Sequence, residues 1–190
     1  MSALKMITVA DYFATNRESD TKLEYYHGQI FAMAGASPAH NAIAVNLMSR
    51  LHTALQTRPC QVYNSDQQVT SLTGGYFYPD VSVACEPRFE GERNEILVNP
   101  VLLVEVLSDS TEARDRGLKF LQYRSIPSLK EVLFVAQDRR CVERYTRRSG
   151  DWVLTTFGPE DHSVELTSLQ LSLQLDEVYL KVTFDSPTRL

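Results

Sequence analysis

The chain has 190 residues and a net charge of −5, with 43% hydrophobic and 23% charged residues. A domain of this size buries enough surface to need no disulfide staple, and no apolar run approaches the roughly 20 residues of a membrane span. The first fifteen residues hold Asp11 and lack the apolar core of a signal peptide. Cys60, Cys85 and Cys141 are odd in number and widely spaced, which argues against a disulfide framework or a zinc knuckle. They read as reduced core thiols of a cytoplasmic protein with no membrane partner. Residues 1–150 carry 17 Lys+Arg and 17 Asp+Glu, and residues 151–190 carry 2 and 7, so the acidic excess lies in the tail. Arg139 to Arg148 holds five arginines against Glu143 alone, either a strip that could meet phosphate or a solvated hairpin.

In chain order, Thr8 and Asp11 are spaced as a capping box, predicting a short helix to about Glu18. Lys22–Tyr26 and Gln29–Met33 flank His27-Gly28, a two-residue hairpin signal. Ser37 as cap and Pro38 at the first position open a helix in which Ile43, Leu47, Leu51 and Leu55 form a core stripe to about Gln56. Cys60–Thr70 and Tyr78–Ala84 read as strands either side of the Gly74-Gly75 turn. Residues 86–99 read as a long charged loop. Val101–Leu107 is a central strand, and Ser110 or Thr111 caps a helix running to about Ser125, before Pro127. Glu131–Ala136, Cys141–Arg147 and Trp152–Phe157 form a meander. Leu169–Val182 alternates and then turns helical near Asp176. The order points to an α/β (α+β) class, one domain over 1–190, with a mixed central sheet flanked by helices.

One residue breaks the pattern. Glu105 sits in Val101–Leu107 among apolar neighbours only, where a carboxylate loses its hydration. Asp80 lies on the preceding strand. If the strands pair, the two carboxylates share one sheet face and repel unless a cation lies between them. Oxygen-only ligands suit Mg²⁺ or Mn²⁺, and a partly hydrated Mg²⁺ is equipped for phosphodiester hydrolysis. Lys119, on the following helix, could reach back to the strand end, or form a surface i,i+4 pair with Asp115.

Tyr78-Pro79-Asp80-Val81-Ser82-Val83, Leu103–Ser108, Ser110-Thr111 and the Asp115, Lys119, Tyr123 pattern together resemble a large bacterial family of restriction-endonuclease-like proteins. That family is abundant in cyanobacteria, was long catalogued as a domain of unknown function, and falls within the PD-(D/E)XK nuclease superfamily. The resemblance implies the restriction-endonuclease core, about 37–136, with an N-terminal hairpin before it and the meander after it. It implies Asp80 and Glu105 as metal ligands and Lys119 as the catalytic lysine, with Leu107 standing where the superfamily usually carries lysine. Glu24 matches a hairpin glutamate of the family: a third carboxylate near the metal, or an exposed strand residue. His40, in the first turn of the long helix, would meet a phosphate or serve as a structural hydrogen-bonding group. Asp115 and Tyr123 are supporting residues. His27, His52 and His162 have no evident partner, and Tyr145 and Trp152 read as packing of the meander. The expected activity is Mg²⁺- or Mn²⁺-dependent cleavage of DNA by a homodimer, with Arg139 and Arg147 on phosphates. The alternative is a nuclease-fold protein that binds nucleic acid, or assists a mobile element, without cutting.

Overall fold

A computed structural model describes residues 6–33 and 35–184. Thr8 caps α1 (Val9–Glu18) through the reciprocal bonds of a capping box with Asp11. β1 (Leu23–Tyr26) and β2 (Gln29–Ala32) form a hairpin in the register Tyr26↔Gln29. Both turn residues, His27 and Gly28, have positive φ (47° and 73°), as a tight primed turn demands. Ser37 caps α2 (Pro38–Leu55), whose buried stripe is Ile43, Leu47, Leu51 and Leu55.

The chain then moves between two sheets. β3 (Cys60–Asn64) belongs to one and β4 (Gln68–Thr70) to the other, so the single strand expected over 60–70 is two. Asn64 breaks it: its side chain accepts from the Asp66 N–H and its carbonyl from the Gln67 N–H, an Asx-type turn. β5 (Tyr76–Phe77) stays in the second sheet, and β6 (Val81–Cys85) returns to the first. Asp80 therefore stands at the crossing, just ahead of its strand rather than inside it. The supposed loop over 86–99 contains β7 (Phe89–Glu90) and β8 (Ile96–Leu97), and β8 pairs in parallel with β4.

β9 (Leu102–Leu107) is buried along its whole length. α3 (Glu112–Arg114), a π-helical turn (Asp115–Lys119) and α4 (Phe120–Tyr123) follow without a break, two residues shorter than expected. β10 (Glu131–Ala136) lies parallel to β9, and β11 (Val142–Arg148) and β12 (Asp151–Phe157) complete the meander. β13 (Ser163–Leu166) and β14 (Leu171–Gln174) form a hairpin, of which the sequence pattern suggested only the second half, and α5 (Leu175–Val178) follows.

The architecture is mixed α/β. The central sheet has the order β12-β11-β10-β9-β6-β3 and the second sheet β2-β1-β5-β4-β8-β7. α2 covers one face of the central sheet, where its stripe packs on Val81, Val83, Leu102, Val104 and Val106. The other face carries Leu103 and Leu107 against Tyr123, Ile126 and Phe134, joined by Val69, Phe77 and Leu97 of the second sheet. Glu105 lies between Leu103 and Leu107 in the strand, so the period of two sends it to this second face.

Cys60 and Cys85 face each other across β3 and β6 and are joined as a disulfide, while Cys141 is free. The expectation of three reduced thiols is corrected for these two; only the strand register, 25 residues apart in sequence, brings them together. The thiol argument for a cytoplasmic location goes with it. Among the described residues no helix is long and apolar enough to cross a membrane.

Leu51 is fully buried in the α2 stripe. Leu51→Ala should lower the unfolding free energy by about 2–5 kcal/mol in urea titration with the m-value unchanged.

Candidate active site

The register of β6 with β9 pairs Val81 with Val104 and Ser82 with Leu103. Continued by one residue, it sets Asp80 opposite Glu105, and cross-strand neighbours share a face. Asp80 Oδ2 accepts from the Val106 N–H at 2.7 Å and lies 3.2 Å from His40 Nε2. His40 thus meets the acidic group directly, while its Nδ1 is buried without a partner among the described residues.

Lys119 is the centre of the constellation. Its Nζ lies 3.0 Å from Glu105, 3.1 Å from Glu24 and 3.4 Å from Asp115. All four residues are nearly closed to solvent: Glu24 is 1% exposed, Glu105 3%, Asp115 3% and Lys119 4%. The Asp115–Lys119 i,i+4 pair exists, but the surface placement is corrected to a buried one. The π turn widens the helix at this point, and both residues of the pair face the sheet. Single π turns inserted in α-helices are frequent at functional sites. Glu24 is likewise a buried carboxylate, not an exposed strand residue. Its Oε1 accepts the Tyr78 N–H at 3.0 Å, and its Oε2 accepts from Arg114 at 2.7 Å. Tyr123 donates its hydroxyl to Glu105 Oε1.

These placements explain the electrostatics. Burial holds the Glu105 carboxyl well above the usual range; Lys119 opposes this, and the charges of Asp115, Asp80 and Glu24 add to it. Asp115 is raised for the same first reason. For Lys119, burial favours loss of the proton, but the charges of Glu105, Glu24 and Asp115 outweigh it and hold the ammonium above its ordinary value. Tyr123 is raised by burial and by the neighbouring Glu105 charge.

Arg114 was not singled out from the sequence. It pairs with Glu24 and lies 4.1 Å over the Phe31 ring. Its partner is 90 residues away, so no local spacing could reveal it. The Arg139–Arg148 strip behaves differently from the expected phosphate contact. Arg139 pairs with Asp138, Arg140 with Asp176, and Arg144 donates to the Glu165 carbonyl. Arg147 donates to the carbonyls of Arg124 and Ile126, where α4 ends, and stacks on Trp152. Tyr145 and Trp152 pack on Phe120, as expected of meander packing. His27 forms the hairpin turn beside Tyr26, His52 lines a shallow apolar groove with Val45 and Met48, and the His162 carbonyl accepts from Leu175.

Residues 9–177 match the model of the Uma2 family, described as "Putative restriction endonuclease". The chain belongs to the Uma2 family. Two uncharacterized proteins of Synechocystis sp. are similar to this Uma2 chain. One, slr1290, is 36% identical over 176 residues, covering 92% of each chain. The other, sll1609, is 34% identical over 175 residues, covering 90% of this chain and 98% of its own. A crystal structure from Anabaena variabilis, described as a putative nuclease belonging to DUF820, shares the fold with a TM-score of 0.72. It is 18% identical, covering 89% of this chain and 96% of that one. The fold of this Uma2 protein is thus nuclease-like, as the motifs around Asp80 and Glu105 implied.

Among the described residues, no three His, Cys, Asp or Glu side chains converge as a metal-binding group. Lys119 stands between Glu24, Glu105 and Asp115 and keeps them apart. The Asp80–Glu105 pair still fits a divalent ion. Both donors are hard oxygens, and Mg²⁺ takes only one or two protein carboxylates, keeping water in its other positions. The composition of the cluster supports the fit: four carboxyl groups, Asp80, Glu24, Glu105 and Asp115, stand against two cationic side chains, Lys119 and Arg114.

The folded pKa values of Glu105 and Asp115 lie above their unfolded ones, so the stability these groups allow is full below about pH 4 and falls as pH rises through the folded values. Without metal, the stability of Glu105→Gln relative to wild type should therefore rise between acidic and neutral pH. Urea unfolding at the two pH values measures it; a constant difference would contradict the upward shift.

Proposed function

We propose that this protein is a metal-dependent endonuclease that hydrolyses phosphodiester bonds in DNA. The observation that carries the reading is the buried convergence of Glu24, Glu105 and Asp115 on Lys119, with Asp80 opposite Glu105. Such a cluster costs several kcal/mol of desolvation per ion and is poor design for stability alone. In our reading, residues 37–136 are the catalytic core of a single domain spanning 1–190.

Asp80 and Glu105 would hold Mg²⁺ or Mn²⁺ through Oδ1 and Oε2, the oxygens not engaged by Val106, His40, Lys119 and Tyr123. The bound ion supplies polarisation of a phosphoryl oxygen and a water of lowered pKa. Lys119 stabilises the negative charge that builds on the phosphoryl oxygens during attack. Tyr123 and Asp115 fix Glu105 and Lys119 in place, and Glu24 sets the lysine from the opposite side, itself clamped by Arg114 and the Tyr78 N–H. His40 orients Asp80. Cutting both strands with one site per chain favours a twofold homodimer.

One observation favours the rival, a nuclease-fold protein that binds nucleic acid without cutting. Lys119 already supplies a positive charge among the carboxylates, in the place a metal ion would otherwise take. Plasmid cleavage decides between them. With Mg²⁺ or Mn²⁺ we expect nicking and linearisation that chelator abolishes. Glu105→Ala and Lys119→Met should each lower the rate by about 10²–10³-fold. Full activity in Glu105→Ala would refute the site, and DNA binding without cleavage in the metal-loaded wild type would establish the rival.

A further inference from the structure

A cleft apart from the carboxylate–lysine cluster, about 510 Å³ in volume, lies between α1, the β4–β5 pair and the β7–β8 hairpin, a size that suits a small ligand. Phe13, Tyr76 and Tyr78 wall it. The rings of Phe13 and Tyr76 meet edge to face at 4.9 Å, and Tyr76 also stacks on Tyr12.

The polar groups of this cleft are mostly acceptors. Gln68 lines it while only 4% exposed. The Tyr12 hydroxyl donates to the Leu23 carbonyl at 2.7 Å, so its oxygen must accept from Gln68 Nε2 at 2.6 Å. Nε2 also donates to Tyr78. The amide is therefore oriented, and Oε1 is left to accept from an occupant. Four carboxylates and two guanidiniums stand at the rim. Arg17 neutralises Glu92 at 3.2 Å, and Lys22 neutralises Asp66 at 2.7 Å. Glu90 and Glu95 remain against Arg93.

The β7–β8 hairpin carries both acids at the same cleft as the aromatic walls. Gly91 has φ +95°, a conformation that favours glycine, and a Cβ there would push against the Glu95 carboxylate, 2.8 Å away. Glu95 Oε2 is fixed by the Arg93 N–H at 2.7 Å. Glu90 and Tyr76 both line the cleft, and burial, with a smaller contribution from the Glu90 charge, raises the Tyr76 phenol.

We propose that this cleft binds a small organic cation, a primary amine or guanidinium on an aromatic or aliphatic body. The body lies against Phe13, Tyr76 and Tyr78, where a cation gains from the ring faces. The N–H donors meet Glu90, Glu95 and Gln68 Oε1. A phosphate or carboxylate ligand is disfavoured by the same two acids. The proposal goes beyond the nuclease reading and stands without it, since none of Asp80, Glu105 and Lys119 lines the cleft.

The test is an NMR titration of the full chain with benzylamine and benzylguanidine, against benzyl alcohol and benzoate. Both cations should bind saturably with amide shifts centred on Tyr76, Tyr78 and Glu90, and the neutral and anionic analogues should not. Glu90→Gln with Glu95→Gln should weaken the cations by at least about tenfold, with an unchanged melting curve because both side chains are exposed. Glu105→Ala should leave cation binding intact. Equal binding of benzyl alcohol, affinity that survives the double substitution, absence of saturable binding, or shifts centred on Lys119 instead would overturn the proposal.

Discussion

One ammonium group, Lys119 Nζ, holds three carboxylates from three separate elements, at 3.0, 3.1 and 3.4 Å. Ions this deeply buried are tolerated only when their partners are in place. The constraint reaches through much of the fold. β1 must bring Glu24 alongside the helix, β9 must turn Glu105 towards it, and the π turn must present Asp115 and Lys119 on one side. Arg114 and the Tyr78 N–H then satisfy the second demand of Glu24. Removing Lys119 would leave three buried carboxylates without their shared counter-ion.

The two faces of the central sheet divide the work. Under α2 the side chains that β6 and β9 present are apolar, and the long stripe from Ile43 to Leu55 anchors these two strands in a fixed relation. On the other face Glu105 interrupts the apolar contacts between Leu103 and Leu107, and Phe77 and Leu97 of the second sheet join the same core. The rigid apolar side fixes the strand, and the mixed side receives the charges. Asp80 gains its position from the crossing between sheets, where Tyr78 and Pro79 leave the second sheet and the chain enters the first.

Tyr78 joins two regions that are otherwise separate. Its N–H holds Glu24, and its hydroxyl lies in the aromatic cleft, receiving Asn16 at 3.0 Å and Gln68 at 3.1 Å. Asn16 also accepts from the Leu23 N–H, next to Glu24 in the chain. The cleft wall and the carboxylate cluster thus share a hydrogen-bonded frame. Arg147 shows the same economy elsewhere: its guanidinium caps the carbonyls at the end of α4 and stacks on Trp152, tying the meander to the helix that carries Lys119.

The local code of the chain fixed α1 through its capping box, the His27-Gly28 turn, the start of α2 at Ser37-Pro38 and the buried run of β9, because each is written within a few consecutive residues. It also exposed Glu105 as anomalous, since a lone acid among six apolar neighbours violates the strand's own pattern. What only the tertiary structure decided involves partners far apart in sequence: the change of sheet after Asn64, the pairing of β8 with β4, the Cys60–Cys85 bond and the clamp of Arg114 on Glu24. The π turn belongs with these, because Asp115 and Lys119 at i,i+4 read the same on a solvated helix. Nor does a run of five arginines say where its guanidiniums point; Arg144 is buried, whereas Arg139 and Arg148 stay exposed. Spacing along the chain records which side chains can share a face, whereas burial, which turns an ordinary acid–lysine pair into a charged cluster, exists only once distant elements have packed together.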